Sequence, residues 1–366
     1  MKNGLTLRVE HTVDAFGPDW DALFEGGAGL QSSRPWFKAM IEAALPDSAE
    51  AHFLAIADQS GPLALVPMLA GPGSAWGSLT TPYTCLYQPL VRPGTQVFDL
   101  TLSEIGQYCR TWPVTRFEAL DPDWSGLGLL RRSLASAGLF TRTFVHFGNW
   151  HEKIQSRSWD AYLAARPGAL RETIRRRSRA AERAGVRVEL HQAASDLPAA
   201  LAAYETVYRS SWKQPEPFPA FNGALIRALA DTGALRIGVM WSGEIPIAAQ
   251  YWSVVGGTAT VLKLAHDESY KPLSPGTVLT AATIQRLIEG DGVEELDFGR
   301  GDDGYKQNWA CQRRLRIGLL AINARTLAGL RTLIAHDAGS MRRIGLEAYG
   351  NLHKGSRKLR RPETPC

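Results

Sequence analysis

The sequence predicts an α/β protein of two tandem, related halves, each a mixed β-sheet flanked by helices, followed by a basic C-terminal tail. Two short signatures recur at one spacing and carry this reading. Ser60-Gly61 and Ser242-Gly243 each sit between two apolar runs and lie 182 residues apart, and Pro93-Gly94-Thr95 returns as Pro275-Gly276-Thr277 at the same offset. The third observation is the order of elements around them, which matches in both copies.

Residues 52–70 read as strand, Ser-Gly turn and strand, and residues 235–254 repeat that pattern. After each Pro-Gly comes a helical stretch, residues 103–112 in the first copy and 278–290 in the second. A strand follows each, at 115–120 and 294–299. Upstream of the hairpins stand Ser32-Ser33 and Ser210-Ser211, each followed by aromatic residues. The expected divisions are 1–150 for the first half, 151–325 for the second, and 326–366 for a helical basic tail. Residues 59–91 carry no charge, but five prolines there break any membrane-spanning helix, so short buried strands are expected.

Across 366 residues, 41 basic and 36 acidic side chains leave a net charge of +5, and 45% of residues are hydrophobic. That composition belongs to a folded protein with sizeable cores. The excess is concentrated in residues 166–185 and 340–366, each carrying a local +5, on a mildly acidic body. Local anion binding follows from this pattern more readily than general affinity for nucleic acid, and no DNA-binding motif is present. Four cysteines without paired spacing argue against a disulfide framework or a zinc knuckle, and no metal is expected. The opening residues contain no apolar run of signal-peptide length, so the expected location is cytoplasmic.

The Arg-rich stretch at 170–185 reads as a helix with Leu170, Ile174, Ala181 and Ala184 facing inward. Arg171, Arg175 and Arg179 form a row one turn apart, suited to phosphate, and Glu172 is placed to pair with Arg176. The densest chemistry lies in residues 263–309. Ser274-Pro275-Gly276-Thr277 opens a helix, whose unpaired N–H groups and dipole suit a phosphate or diphosphate; the plain alternative is an ordinary helix capped by Ser274. Residues 299–304 satisfy GxGxxG after a strand, yet two adjacent carboxylates and the return to an apolar strand exclude a dinucleotide fingerprint. A tight glycine loop is expected instead, presenting Asp302, Asp303, Tyr305 and Lys306 at the sheet edge. His266 is the histidine placed to act as a base.

The combination His266-Asp267, Tyr270, Ser274-Pro275-Gly276, a helix, Asp297-Phe298-Gly299-Arg300-Gly301-Asp302, Tyr305-Lys306 and Trp309 resembles the CelD/FemAB-like branch of the GNAT acyltransferase superfamily, most strongly over about 155–315. The tandem halves agree with that branch. The resemblance implies transfer of an acyl group to a primary amine, with acyl-CoA as co-substrate and no permanently bound cofactor. It places the CoA phosphates at Ser274, Gly276 and Thr277. The GNAT phosphate signature, a basic or Gln residue with two close glycines, is reduced here to Gly276. Asp302 or His266 would take the amine proton, Tyr305 would protonate the leaving thiolate, and Lys306 would hold an anionic group. Arg171, Arg175, Arg179 and Arg300 would bind phosphate or substrate.

The implied acceptors are an amino-sugar or exopolysaccharide precursor, or a sphingoid-type amino-lipid. Two other readings stay open. One is a FemAB-type transferase using aminoacyl-tRNA on a cell-envelope precursor, which the absence of a long heptad arm argues against. The other is a non-catalytic scaffold in polysaccharide synthesis. The basic tail could dock on an anionic membrane surface at the inner face, or end the chain as a packed helix and a frayed basic segment.

Overall fold

The computed structural model describes residues 5–27, 29–71, 76–155, 158–192 and 194–338. The first half contributes strands β1 (Thr6–Glu10), β2 (Glu50–Asp58), β3 (Gly61–Ala70), β4 (Gly77–Ser78), β5 (Leu90–Val91), β6 (Val114–Leu120) and β7 (Phe140–Lys153). Its helices are α1 (Asp21–Glu25), α2 (Arg34–Ala43), α3 (Thr95–Cys109) and α4 (Leu127–Ser136). The second half adds α5 (Trp159–Ala164), α6 (Gly168–Arg183), β8 (Val186–His191), α7 (Leu197–Arg209) and α8 (Phe221–Asp231). Next come β9 (Leu235–Ser242), β10 (Ile245–Val255), β11 (Thr258–His266), α9 (Pro275–Glu289), β12 (Glu295–Arg300) and β13 (Gln312–Ile322).

Both Ser-Gly turns close antiparallel hairpins, β2–β3 and β9–β10, and both Pro-Gly pairs stand at the start of a helix, α3 and α9. The described strands form one mixed sheet in the order β1-β2-β3-β4-β6-β13-β7-β12-β11-β10-β9-β8, with β5 against β3. Its centre joins the halves by exchange. β13, the last strand of the second half, lies beside β6, and β7, the last of the first half, lies beside β12. The two long strands pair antiparallel from Gln312 opposite His151 to Ile322 opposite Phe140. The parallel pairs β4–β6 and β11–β12 flank this centre symmetrically.

The principal apolar core also crosses between halves. Trp36 of α2 meets Phe221 of α8 edge-on at 5.5 Å between ring centroids, and Phe53, Leu225 and Tyr251 are buried in the same cluster. Each such side chain contributes about 1.5–3 kcal/mol by leaving water, so separating the halves would be costly. In α6, Ile174 and Ala181 are buried as the pattern predicts, but Ala184 is exposed because it is already the C-cap. Glu172 pairs with Arg175, one residue earlier than the expected Arg176. Residues 327–338 are helical and are tied to β7 by a two-pronged Arg142–Asp337 pair at 2.7 Å. The remainder of the basic tail lies outside the described residues. No helix among the described residues is long and apolar enough to cross a membrane.

Candidate active site

Strands β11 and β12 pair only from Thr258–Thr260 to Glu295–Asp297 and then diverge. Asp297 fixes the point of divergence. It is buried, accepts from the Gly299 N–H at 2.7 Å and from Asn149 Nδ2 at 2.7 Å, and takes Arg314 at 2.6 Å on its other oxygen. The pairing of β12 with β7 shifts register between Asp297 and Arg300. Gly299 has φ +70°, and a Cβ there would stand 3.2 Å from the Val261 carbonyl, so the turn out of the sheet favours glycine.

The divergence opens a cleft of about 600 Å³. Leu262, Leu264 and His266 of β11 form one wall, Phe298, Gly299 and Arg300 of β12 another, and the start of α9 lies between them. Pro82, Tyr83 and Cys85 come from the first half, so the cleft belongs to both halves. Burial pushes the Cys85 thiol up to about 12, with Asp297 adding to the shift, so it stays protonated and is no nucleophile.

Ser274, Gly276 and Thr277 all line the cleft. Ser274 occupies the N-cap in a left-handed conformation (φ 51°, ψ 51°), and its side chain makes no capping bond. The N–H groups of Thr277 and Val278 close onto the Ser274 carbonyl, and Pro275 has none to give. Among the described residues no backbone acceptor meets the Gly276 N–H, which is left for the cleft. A Cβ on Gly276 would stand 3.3 Å from His266 Nδ1. That nitrogen is buried with no hydrogen-bond partner, while Nε2 faces Glu268 at 3.3 Å. Burial lowers the His266 pKa and Lys271 adds to the effect, against the opposing pull of Glu268. The neutral imidazole is therefore favoured near pH 7.

The glycine loop divides its polar residues. Asp303, Tyr305 and Lys306 line the cleft, and Asp302 does not. Asp302 is gripped by Arg313 through two hydrogen bonds of 2.6 Å, which hold its carboxyl below the usual range. A carboxylate so engaged is a weak base, and the sequence-based pairing of Asp302 with proton abstraction does not fit its position. Lys306 is buried and donates to the carbonyls of Arg300 at 2.6 Å and Gly301 at 3.3 Å, with Asp303 at 3.1 Å. An ammonium has three donors, and these partners occupy all of them. Lys306 thus braces the loop rather than awaiting an anion. Tyr305 is 44% exposed, yet the crowding of its hydroxyl, with Asp303 adjacent, pushes its pKa to about 12. Near neutrality it can donate a proton and will not lose one unprompted.

Arg300 reaches the cleft, with Nη2 3.1 Å from His146 Nε2 and its guanidinium 4.5 Å over the Phe147 ring. Arg171, Arg175 and Arg179 are exposed on α6 and do not line the cleft. The cations that do are Lys213, Lys263, Lys271, Arg300 and Lys306. Lys263 donates to Glu216 at 2.6 Å. Burial alone would raise Glu216, but the bonds from Lys263 and Tyr208 hold it below the usual carboxylate range. Lys213 carries a lowered pKa through burial and the nearby Lys263. Sequence reasoning missed this 212–218 segment and the Tyr83–Cys85 wall, because their relation to residues 263–306 exists only after folding.

Residues 168–307 match the family model for an Acetyltransferase (GNAT) domain. FemX is 10% identical over 88% of this chain and 99% of its own, with a TM-score of 0.59. L-PGS from Bacillus licheniformis is 14% identical over 90% and 99%, with a TM-score of 0.54. The C-terminal domain of a lysylphosphatidylglycerol synthetase from Agrobacterium fabrum is 16% identical over 78% and 88%, at 0.52. No curated protein matches in sequence. Residues 168–307 thus match a GNAT acetyltransferase domain, and the fold of the chain is similar to that of FemX.

Proposed function

We propose that the chain is an acyl-CoA-dependent N-acyltransferase whose donor lies in the cleft between β11 and β12. One observation carries this reading: the cleft opens where these strands part, directly against the free Gly276 N–H and a set of cationic side chains. A helix start with an unpaired N–H attracts a phosphate, and Lys213, Lys271 and Arg300 add field of the same sign. Ser274 and Thr277 complete the phosphate-binding turn.

In this reading the neutral acceptor amine attacks the thioester carbonyl, forming the C–N bond, and collapse of the tetrahedral intermediate breaks the C–S bond. His266 Nδ1 takes the amine proton, and the Tyr305 hydroxyl gives a proton to the departing thiolate. Lys306 and Asp303 hold the loop that carries Tyr305. The reacting groups recover their starting states when the His266 proton is passed on through solvent to Tyr305.

For the acceptor, an amino-sugar or exopolysaccharide precursor and an amino-lipid both supply the required amine. The fold likeness to proteins named lysylphosphatidylglycerol synthetase favours the lipid-linked class. Leu327, Leu330 and Ile334 lie exposed on the 327–338 helix, ahead of the basic tail, an arrangement suited to an anionic membrane face. The test is free-thiol release from acyl-CoAs of short to long chain with amino-sugar and amino-lipid acceptors, and a parallel arm offering aminoacyl-tRNA. Acceptor-dependent thiol release, lost in His266→Gln, supports the proposal. Transfer from aminoacyl-tRNA alone would replace it with the FemAB-type reaction. No transfer and no CoA binding would leave a scaffold role.

A further inference from the structure

Far along the sheet from β12, a second cluster of chemically capable side chains gathers at the end of β1. Glu10 is paired with Phe53, so His11 emerges beside the β2 residues that precede Phe53. Glu50 and His52 are two apart on β2 and share one of its faces. Glu50 Oε2 lies 3.6 Å from His52 Nε2 and 3.8 Å from His11 Nδ1. The two imidazoles meet edge-on, with centroids 4.9 Å apart. The three residues offer ligand atoms that all lie within 4.8 Å of one another.

We propose that His11, Glu50 and His52 bind one divalent ion of the zinc class, with water completing its coordination. Two imidazoles and a carboxylate are a donor set for Zn2+ and its first-row neighbours, whereas Mg2+ and Ca2+ take mainly oxygen. Around Zn2+, with bonds of roughly 2.0–2.2 Å, tetrahedral ligand atoms stand roughly 3.4 Å apart, close to the separations from Glu50. His11 Nδ1 also lies 3.0 Å from the Ala51 carbonyl, a contact that must be exchanged for the ion, and the 60% and 69% exposure of the His11 and Glu50 side chains leaves room for that turn.

An outer contact prepares His52. Its Nδ1 lies 2.8 Å from the Tyr108 hydroxyl, delivered by α3, which fixes the ring and turns Nε2 toward Glu50. Hydrogen bonding of the far ring nitrogen is the usual way a protein orients a ligating histidine. Such an ion would fasten β1, the outermost strand of the first half, to β2 at the end where their pairing stops. The site lies on other elements than the cleft and stands independently of the acyltransferase reading.

The test is calorimetric titration of the chelator-treated full chain, without a histidine tag, with ZnCl2 and separately with MgCl2. The expected result is one Zn2+ per chain at this site and no binding of Mg2+. His11→Asn and Glu50→Gln, both at exposed side chains, should each weaken that Zn2+ binding more than tenfold. Tyr108→Phe should weaken it as well, by about tenfold, the lower range of lost outer contacts. Co2+ bound to the unaltered chain should give visible absorption that His11→Asn removes. Absence of Zn2+ binding, or equal stoichiometry and affinity in a His11→Asn/Glu50→Gln double variant, would overturn the proposal.

Discussion

His266 Nδ1 stands 3.3 Å from the point where a side chain on Gly276 would begin. The histidine ends β11, the glycine opens α9, and the space between them is part of the cleft. Gly276→Val would fill that space and press against the ring. The expected result is a rise of about tenfold or more in the donor KM, equivalent to roughly 1.4 kcal/mol, with the far-UV spectrum unchanged. Steady-state kinetics across donor concentrations measures it.

The lowered pKa of His266 gives a defined acid response. In the unfolded chain the imidazole binds a proton near 6.5, and in the folded protein it binds one only at lower pH. Above pH 6.5 both states are neutral there and the group contributes nothing to pH dependence. As pH falls below 6.5 the unfolded state takes up protons first, so this group's contribution to stability declines. Activity that needs the neutral ring should persist below pH 6.5 and then fall. A pH profile of kcat/KM for the wild type and His266→Gln checks this, and the acid limb should be absent from the variant's residual rate.

Lys306→Met should destabilise the fold and slow turnover. It leaves the carbonyls of Arg300 and Gly301 without their buried donor, at a cost of about 1–3 kcal/mol for an unsatisfied group. Denaturant unfolding should record that loss, and kcat should fall more than donor affinity changes, because the loop also carries Tyr305. A variant with unaltered stability and a selective loss of donor binding would restore an anion-holding role to Lys306.

Asp302→Asn tests the opposite case. Its partner Arg313 is about one-third exposed, and such surface pairs contribute within about 1 kcal/mol. Turnover should remain within about twofold of wild type, as expected of a residue outside the cleft. The triple variant Arg171→Ala, Arg175→Ala and Arg179→Ala should likewise leave donor KM unchanged at physiological salt, since those side chains project from α6 into solvent.

Much of this architecture is legible in the chain because turns have local rules. Ser-Gly between apolar runs and Pro-Gly before a helix depend on backbone preferences that neighbouring residues express, so both hairpins and the start of α9 follow from sequence, whereas α3 begins at Thr95, ahead of the expected 103–112. The exchange of β7 and β13 does not follow from sequence, because which strands β13 pairs with is decided by residues far away in the chain, on β6 and β7. The candidate site divides in the same way. Residues 266, 274, 276, 277, 303, 305 and 306 converge, as their common stretch suggests. Asp302 and Asp303 are neighbours of identical chemistry, and their partners separate them: Arg313 from β13 takes Asp302, while Lys306 takes Asp303. Tyr83, Cys85 and Asn149 enter from the first half, where no local pattern marks them.

The claim that a CoA-type donor occupies the cleft is tested most directly by calorimetric titration of CoA into the wild type and into Gly276→Val. The account predicts saturable binding to the wild type, weakened at least tenfold in the variant. Absence of CoA binding to the wild type up to millimolar concentration, or the same affinity in both proteins, would contradict it.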